Sequence, residues 1–274
     1  MIKAKRKLVS ISSIFTVIAI ICASLVYCGE FDLRVTEYTI ENEKITTPFK
    51  VAMLSDLHLR EYGKGNEKLL AAIKEKSPDI ILVAGDMVNK NNENTDVAIN
   101  LFSELCKITD VYFCLGNHER ALDKKTGNVF SQMQKTGAVF LDNEDVTVQV
   151  NGQDILIGGL SSYPDPYTEH YDFITQFEKK ALFKILLCHY PEYYPDTLEN
   201  YNLDLILSGH AHGGQVRLPF IGGVFAPEQG LFPKYTKGIY KSDTATMIIS
   251  AGLGDSTFIP RINNPPELVI VELK

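Results

Sequence analysis

Most residues able to do chemistry fall in four strings: Asp56-Leu57-His58, Gly85-Asp86, Gly116-Asn117-His118 and Gly209-His210-Ala211-His212. His189 stands alone before the last of them. Together they hold five of the six histidines. Each follows an apolar run, so imidazoles, carboxylates and an amide should emerge together at one edge of a sheet. That layout suits a hydrolase that uses two metal ions.

Taken singly, each string also has a plainer reading. Asp56 and His58, two apart in an extended segment, point the same way and can share a cation; a surface Asp beside a core His would spell the same letters. Asp86 can cap a helix or bridge two cations about 3.5–4 Å apart. Buried and unpaired, it would cost several kcal/mol. Asn117 and His118 also suit a strand-to-loop turn, and His189 a core histidine bonded to a carbonyl. His210 and His212, framed by Gly209, Gly213 and Gly214, have little structural purpose of their own. The pooled set of two carboxylates, one amide and four or five imidazoles exceeds what one zinc or one calcium needs.

The elements that must position these groups are legible as well. Arg34 to Glu41 alternates as a strand, and Lys50 to Ser55, Asp79 to Ala84 and Val111 to Leu115 are apolar runs of strands buried on both faces. Helical spacing over Glu67 to Lys76 and Thr95 to Cys106 separates them. Strand, motif and helix in repetition imply parallel strands with right-handed crossovers, and ligands collect beyond their carboxyl ends. From Ala138 a second, more antiparallel sheet is expected, built from Ala138 to Leu141, Val146 to Val150, Ile155 to Gly158, Phe183 to Cys188, Leu203 to Leu207, Met247 to Ala251 and Glu267 to Glu272. Asn151-Gly152 is a hairpin signal within it. Ser161 to Lys180 reads as a loop over the site followed by a helix.

A chain of 274 residues, 45% hydrophobic and 22% charged, suits one catalytic domain with an appendage. The appendage is the N-terminus: Met1 to Lys7 carries four basic residues, and Leu8 to Cys28 is 21 residues without a charge. At ~1.5 Å per residue a helix of that length crosses a ~30 Å hydrocarbon layer. A cleaved signal has a shorter apolar stretch and small residues at its cut, where Tyr27 stands. The expectation is an uncleaved transmembrane signal-anchor over 1–28, a connecting segment over 29–49, and a catalytic domain over 50–274. With Lys3, Lys5, Arg6 and Lys7 cytoplasmic, that domain would lie outside the cell membrane. Set against 34 Asp and Glu, the remaining Lys and Arg leave this body at about −11, which argues against nucleic acid as a partner. The five cysteines form no CxxC pair, so no disulfide framework is expected, and the chain should be a monomer.

In order and spacing, D-x-H, GD, GNH, H and GHxH is similar to the pattern of the calcineurin-like metallophosphoesterases, from about Val51 to the C-terminus. The stretches SDLHL, LVAGD, GNHE, GHAHGGQVRLP and the late GLG…PRINNPPE resemble the membrane-associated bacterial branch. The resemblance implies an α/β fold of two mixed β-sheets packed as a sandwich flanked by helices. It also implies two divalent ions, Mn, Fe or Zn: one held by Asp56, His58, Asp86 and His212, the other by Asp86, Asn117, His189 and His210. His118 would then steady the phosphoryl group or protonate the leaving oxygen. Asn89 departs from the commoner GDxxD pattern.

The implied reaction is in-line attack of a metal-bridging hydroxide on a phosphodiester or pyrophosphate, with no covalent enzyme intermediate. A lipid-linked substrate is suggested by the anchor and by the aromatics of Tyr163 to Tyr171; a small diffusible or cell-wall phosphate monoester is the alternative. Arg217 reads as a phosphate contact or a solvated arginine, and Arg261 beside Asn263 likewise. A metal-stabilised binding module without activity fits the same ligands. A Cys188–His189 nucleophile does not, because neighbours on a strand face opposite ways.

Overall fold

Runs of β-branched and aliphatic residues become strands buried on both faces in the computed structural model, which describes residues 16, 20, 23–160, 169–257 and 259–274. The first part of the chain runs β1 (Arg34–Ile40), β2 (Phe49–Leu54), a helix over Glu67–Lys76, β3 (Ile80–Ala84), a helix over Asp96–Leu105, β4 (Val111–Cys114), helices over Asn117–Thr126 and Val129–Gln134, and β5 (Val139–Phe140). β2, β3, β4 and β5 are parallel neighbours. Their connections are the helices that the repeated strand-motif-helix pattern demanded.

The second part runs β6 (Glu144–Val150), β7 (Gln153–Leu160), a helix over Glu169–Phe177, β8 (Phe183–Cys188) and β9 (Leu203–Ser208). Two small ribbons follow, β10 (Arg217–Leu218) with β11 (Gly222–Gly223) and β12 (Phe225–Ala226) with β13 (Gly230–Leu231). β14 (Gly238–Lys241), β15 (Ala245–Ile249) and β16 (Glu267–Leu273) close the chain. Asn151 and Gly152, both at positive φ, make the hairpin between β6 and β7.

The two six-stranded sheets have orders β1-β16-β2-β3-β4-β5 and β14-β15-β9-β8-β7-β6. This corrects the sequence reading at both ends. Val139–Phe140 extends the first sheet rather than starting the second. β16 slots between β1, to which it is parallel, and antiparallel β2. Its Leu268 and Ile270 face one core and Val269 and Val271 the other, so its text shows a central strand without saying of which sheet. The second sheet is also less antiparallel than expected, since β7, β8, β9 and β15 run parallel.

Between the sheets Val51, Met53 and Leu82 meet Ile157, Ile185 and Leu205. The outer face of the first sheet packs on Leu69, Ile73 and Phe102 of its helices, and that of the second on Ile174, Phe177 and Tyr194. Each such side chain contributes roughly 1.5–3 kcal/mol on burial, and together they lock the carboxyl ends of β2, β3, β4, β8 and β9 onto one edge.

Residues 23–31 are helical and continue past Cys28 to Phe31. The anchor expected over Leu8 to Cys28 lies largely outside the described residues, and among those described no helix is long and apolar enough to cross a membrane. Most of the aromatic loop Tyr163 to Tyr171 also lies outside them. Cys28, Cys106, Cys114 and Cys188 are free thiols.

Candidate metal centre

All four strings and His189 arrive at that edge, though the first by another route than expected. Asp56 and His58 do not share an extended segment: their φ angles are 52° and 47°. The loop after β2 is instead knitted to the loop after β3, with Asp56 N–H donating to Gly85 O at 3.0 Å and His58 N–H to Asp86 O at 3.1 Å. Asp86, His210 and His212 also have positive φ. Such backbone costs of order 1–3 kcal/mol per residue and clusters at functional sites. Two glycines make the room: a Cβ on Gly116 would strike Asp86 Oδ1, and one on Gly209 would strike Asp56 Oδ2.

Asp56, His58 and His212 form one group whose ligand atoms lie within 4.8 Å of one another. His58 Nε2 and His212 Nε2 are 3.3 Å apart, and Asp56 Oδ1 is 3.8 Å from His212 Nε2. His58 directs Nδ1 at Val88 O (3.3 Å) and His212 directs Nδ1 at Gly254 O (3.2 Å). A carbonyl only accepts, so Val88 O and the nearer Gly254 O favour the proton on each Nδ1, against the donor Arg261 Nη2 at 3.5 Å from the same His212 nitrogen. Each Nε2 then presents a bare lone pair. Burial pushes both imidazoles down to about 3. Two facing lone pairs with no proton between them fit a shared cation.

Asp86, His189 and His210 form the second group. His189 Nε2 lies 3.3 Å from Asp86 Oδ2 and 3.1 Å from His210 Nδ1, and its Nδ1 donates to Ala84 O at 2.7 Å. Burial opposes charge on His189, but the Asp86 carboxylate prevails and raises it to about 10. Burial likewise opposes ionisation of Asp86, yet the imidazoles, His189 foremost, hold it well below the usual carboxylate range. Asn117 Oδ1 is buried without a hydrogen-bond partner, a state costing about 1–3 kcal/mol that a cation ligand would relieve. Asp86 Oδ2 also lies 3.8 Å from His58 Nε2, so one carboxylate faces both groups.

His118 stands beside them, its ring edge on His58 with centroids 4.5 Å apart. Its Nδ1 accepts the Lys90 N–H at 3.2 Å, so in the neutral ring the proton sits on Nε2. Burial lowers its pKa from the ordinary value. His118 N–H donates to Asp86 Oδ1 at 2.8 Å.

Three supporting residues escaped the sequence reading. Glu119, fully buried, accepts N–H bonds from Asp86 (2.8 Å), Met87 (2.6 Å), Val88 (3.0 Å) and Gly116 (2.9 Å). Burial and the Asp86 charge push it up to about 7, while four donors on two oxygens favour the carboxylate. Its signal was present, since an acid three residues after Gly116 at a helix start is half of a capping box. His210 donates its Nε2–H to Glu228 Oε2 at 2.5 Å, which leaves Nδ1 bare toward His189. Glu192 lies 3.8 Å from the same His210 nitrogen. Nothing in local spacing announces these two.

Arg217 and Arg261 are both pinned within the protein. Arg217 donates to Gly213 O (2.6 Å) and Thr236 Oγ1 (3.1 Å). Arg261, fully buried, donates to Asp255 Oδ1 (2.9 Å) and to Gly254 O (2.6 Å), the carbonyl that also holds His212. Arg261 is thus enclosed by protein, while Arg217 is half-buried and makes these bonds through Nη1. Asn89 folds onto its own loop, accepting the Asn91 N–H at 3.0 Å. The Cys188 thiol is buried and its pKa raised, with Sγ turned to Tyr190 O, so it is no nucleophile.

A two-layer sandwich with clustered Asp, Asn and His at the strand ends defines a metal-dependent phosphoesterase. Residues 49–214 match the calcineurin-like phosphoesterase family, and the chain belongs to that family. It is similar to the metallophosphoesterase YkuE of Bacillus subtilis (28% identity, 88% of this chain and 86% of that one). It is also similar to the phosphodiesterase YaeI of Escherichia coli (27% identity, 82% of each chain). Among solved structures, a dimetal phosphatase of Danio rerio aligns with TM-score 0.47 at 14% identity, over 74% of this chain and 87% of that one. The chain is a metal-dependent phosphoric ester hydrolase. A non-catalytic binding module is thereby set aside.

Proposed function

We propose that the chain hydrolyses a phosphodiester or pyrophosphate bond, in a lipid-linked substrate, with two divalent ions. Asp56, His58, Asp86 and His212 would hold one ion, and Asp86, Asn117, His189 and His210 the other. The observation that carries this reading is Asp86 Oδ2, 3.8 Å from His58 Nε2 and 3.3 Å from His189 Nε2, between the two groups. When bound, the ions would supply Lewis acidity to the phosphoryl oxygens and lower the pKa of a water.

The chain's own residues do the rest. His118, whose burial disfavours a second proton and whose Nδ1 accepts the Lys90 N–H, offers its Nε2–H as a hydrogen bond to the phosphoryl or leaving oxygen. Glu228, held below the ordinary carboxylate range by its hydrogen bond to His210, places negative charge beside that imidazole. That charge disfavours a dianionic monoester and tolerates phosphates bearing one charge each, as in a diester or a pyrophosphate esterified at both ends. The E. coli relative named as a phosphodiesterase agrees with that choice. The charge-free run Leu8 to Cys28 supports an anchor that keeps the site outside the cell and near lipid.

The test is the full chain in detergent, stripped of metal and reloaded with Mn²⁺ or Zn²⁺. It is offered an aryl phosphodiester, an aryl phosphomonoester and a lipid pyrophosphate in parallel. Diester or pyrophosphate turnover above monoester turnover is the expected result. A preference for the monoester would overturn the substrate class.

A further inference from the structure

We propose that the β10–β11 ribbon is a membrane-docking hairpin whose tip, Phe220 and Ile221, enters the head-group layer of a bilayer beside the apolar N-terminal segment. Phe220 is 109% and Ile221 62% exposed, and the next ribbon adds Leu231 and Phe232 at 71% and 61%. Phe220 has a φ of 67° in a turn closed by Ile221 N–H to Leu218 O, a position that favours glycine. A bulky apolar side chain is held outward there, and among the described residues nothing covers it.

The direction of the hairpin names its partner. Residues 261–263 are bonded on both sides. On one side Ile262 N–H donates to Gln215 O and Arg217 N–H to Ile262 O, around the parallel bridge of Val216 with Ile262. On the other side Arg261 N–H donates to Glu30 Oε1 and Asn263 N–H to Leu25 O. Passing from 261 to 263 therefore leads toward the hairpin tip and, along the helix, from Glu30 back toward Leu25. The tip and the N-terminal end of that helix point the same way.

Leu25 lies inside the charge-free run that ends at Cys28, so Asn263 sits within about 5 Å, along a helix axis, of where the run ends. The tip reaches three to four residues past Arg217, or about 10 Å at ~3.3 Å each. With the Leu25 level at the bilayer surface, that matches the ~5–10 Å to which interfacial apolar groups sink. Exposed Lys234, two residues after Phe232, suits anionic head groups. The ribbon starts just after His212, so docking would hold the metal centre at head-group phosphates. That last consequence rests on the proposed function, and the docking does not.

The chain has no tryptophan, which makes the test direct. Phe220→Trp, and Val139→Trp on β5 at the far edge of the first sheet, are each introduced into the full chain. Both variants are reconstituted with phosphatidylcholine and phosphatidylglycerol vesicles carrying brominated acyl chains. The Phe220→Trp variant should emit to the blue and be quenched at least about threefold more than the Val139→Trp variant. Equal quenching in vesicles that carry the protein on flotation would overturn the docking and leave the anchor standing. No flotation would overturn both. A blue shift that grows with protein concentration, without bromine quenching, would make the patch a contact between copies and also overturn it. Quenching without turnover of any phosphate ester would uphold the docking and count against the substrate reading alone.

Discussion

The imidazoles of His58 and His212 meet Nε2 to Nε2 at 3.3 Å while each gives its Nδ1 proton to a backbone carbonyl. With both Nδ1 protons directed at carbonyls, two lone pairs face each other, an arrangement that a shared cation would stabilise. His58→Asn or His212→Asn should therefore lower bound metal from about two ions per chain toward one, and reduce kcat by at least about 10²-fold. Elemental analysis beside turnover checks both; a variant with full metal and full rate would remove this pair from the site.

Acid should act on the same pair. In the metal-stripped chain His58 has a pKa of about 3, against about 6.5 unfolded. Below pH 6.5 the unfolded state binds a proton that the folded state refuses, so this residue's contribution to stability is whole above 6.5 and shrinks as pH falls toward 3. The loss is about 1.4 kcal/mol per unit. His58→Asn cannot titrate, so the Tm difference between native chain and variant should narrow from pH 7 to pH 4.5. A constant difference in calorimetry would refute the depressed pKa.

Glu119 ties two motif loops through four backbone N–H groups. Glu119→Gln replaces an acceptor oxygen with an NH₂ that faces donors. The expected cost is about 2–4 kcal/mol of stability, with weaker metal binding because the Asp86 loop is released. Denaturant unfolding and metal titration of the same sample measure both, and an unchanged midpoint would deny Glu119 this role.

Glu228 fixes which nitrogen of His210 is bare. Glu228→Gln keeps a hydrogen-bond acceptor and loses the charge, so affinity for the second ion should fall about 10-fold. The fold should stand, because Glu228 is largely exposed. Isothermal titration with Mn²⁺ reads the loss; equal affinity would leave Glu228 a surface residue.

His118→Ala should keep both ions and lose about 10²- to 10³-fold in kcat, the share of one oriented donor. Retained activity with retained metal would shift the hydrogen-bond role to another group.

Local text determined a good deal of this protein. Apolar runs at β2, β3, β4, β8 and β9, each ended by Gly, Asp, Asn or His, announced buried parallel strands and the edge where their loops meet, because burial on both faces demands continuous hydrophobicity. Asn151-Gly152 announced its hairpin, because few residue pairs tolerate two positive φ angles. Tertiary structure decided what spacing cannot carry. β16 has two apolar faces that either sheet would accept, and only folding placed it between β1 and β2 of the first. Asp56 and His58 converge through left-handed backbone that the loop after β3 holds in place, where a two-residue spacing alone pointed to an extended strand. Arg217 and Arg261 turn inward because carbonyls 4 residues before and 7 residues before them lie within reach. Which nitrogen of each imidazole is bare was settled by carbonyls and a carboxylate far along the chain, since a tautomer depends on the partner that folding brings to the ring.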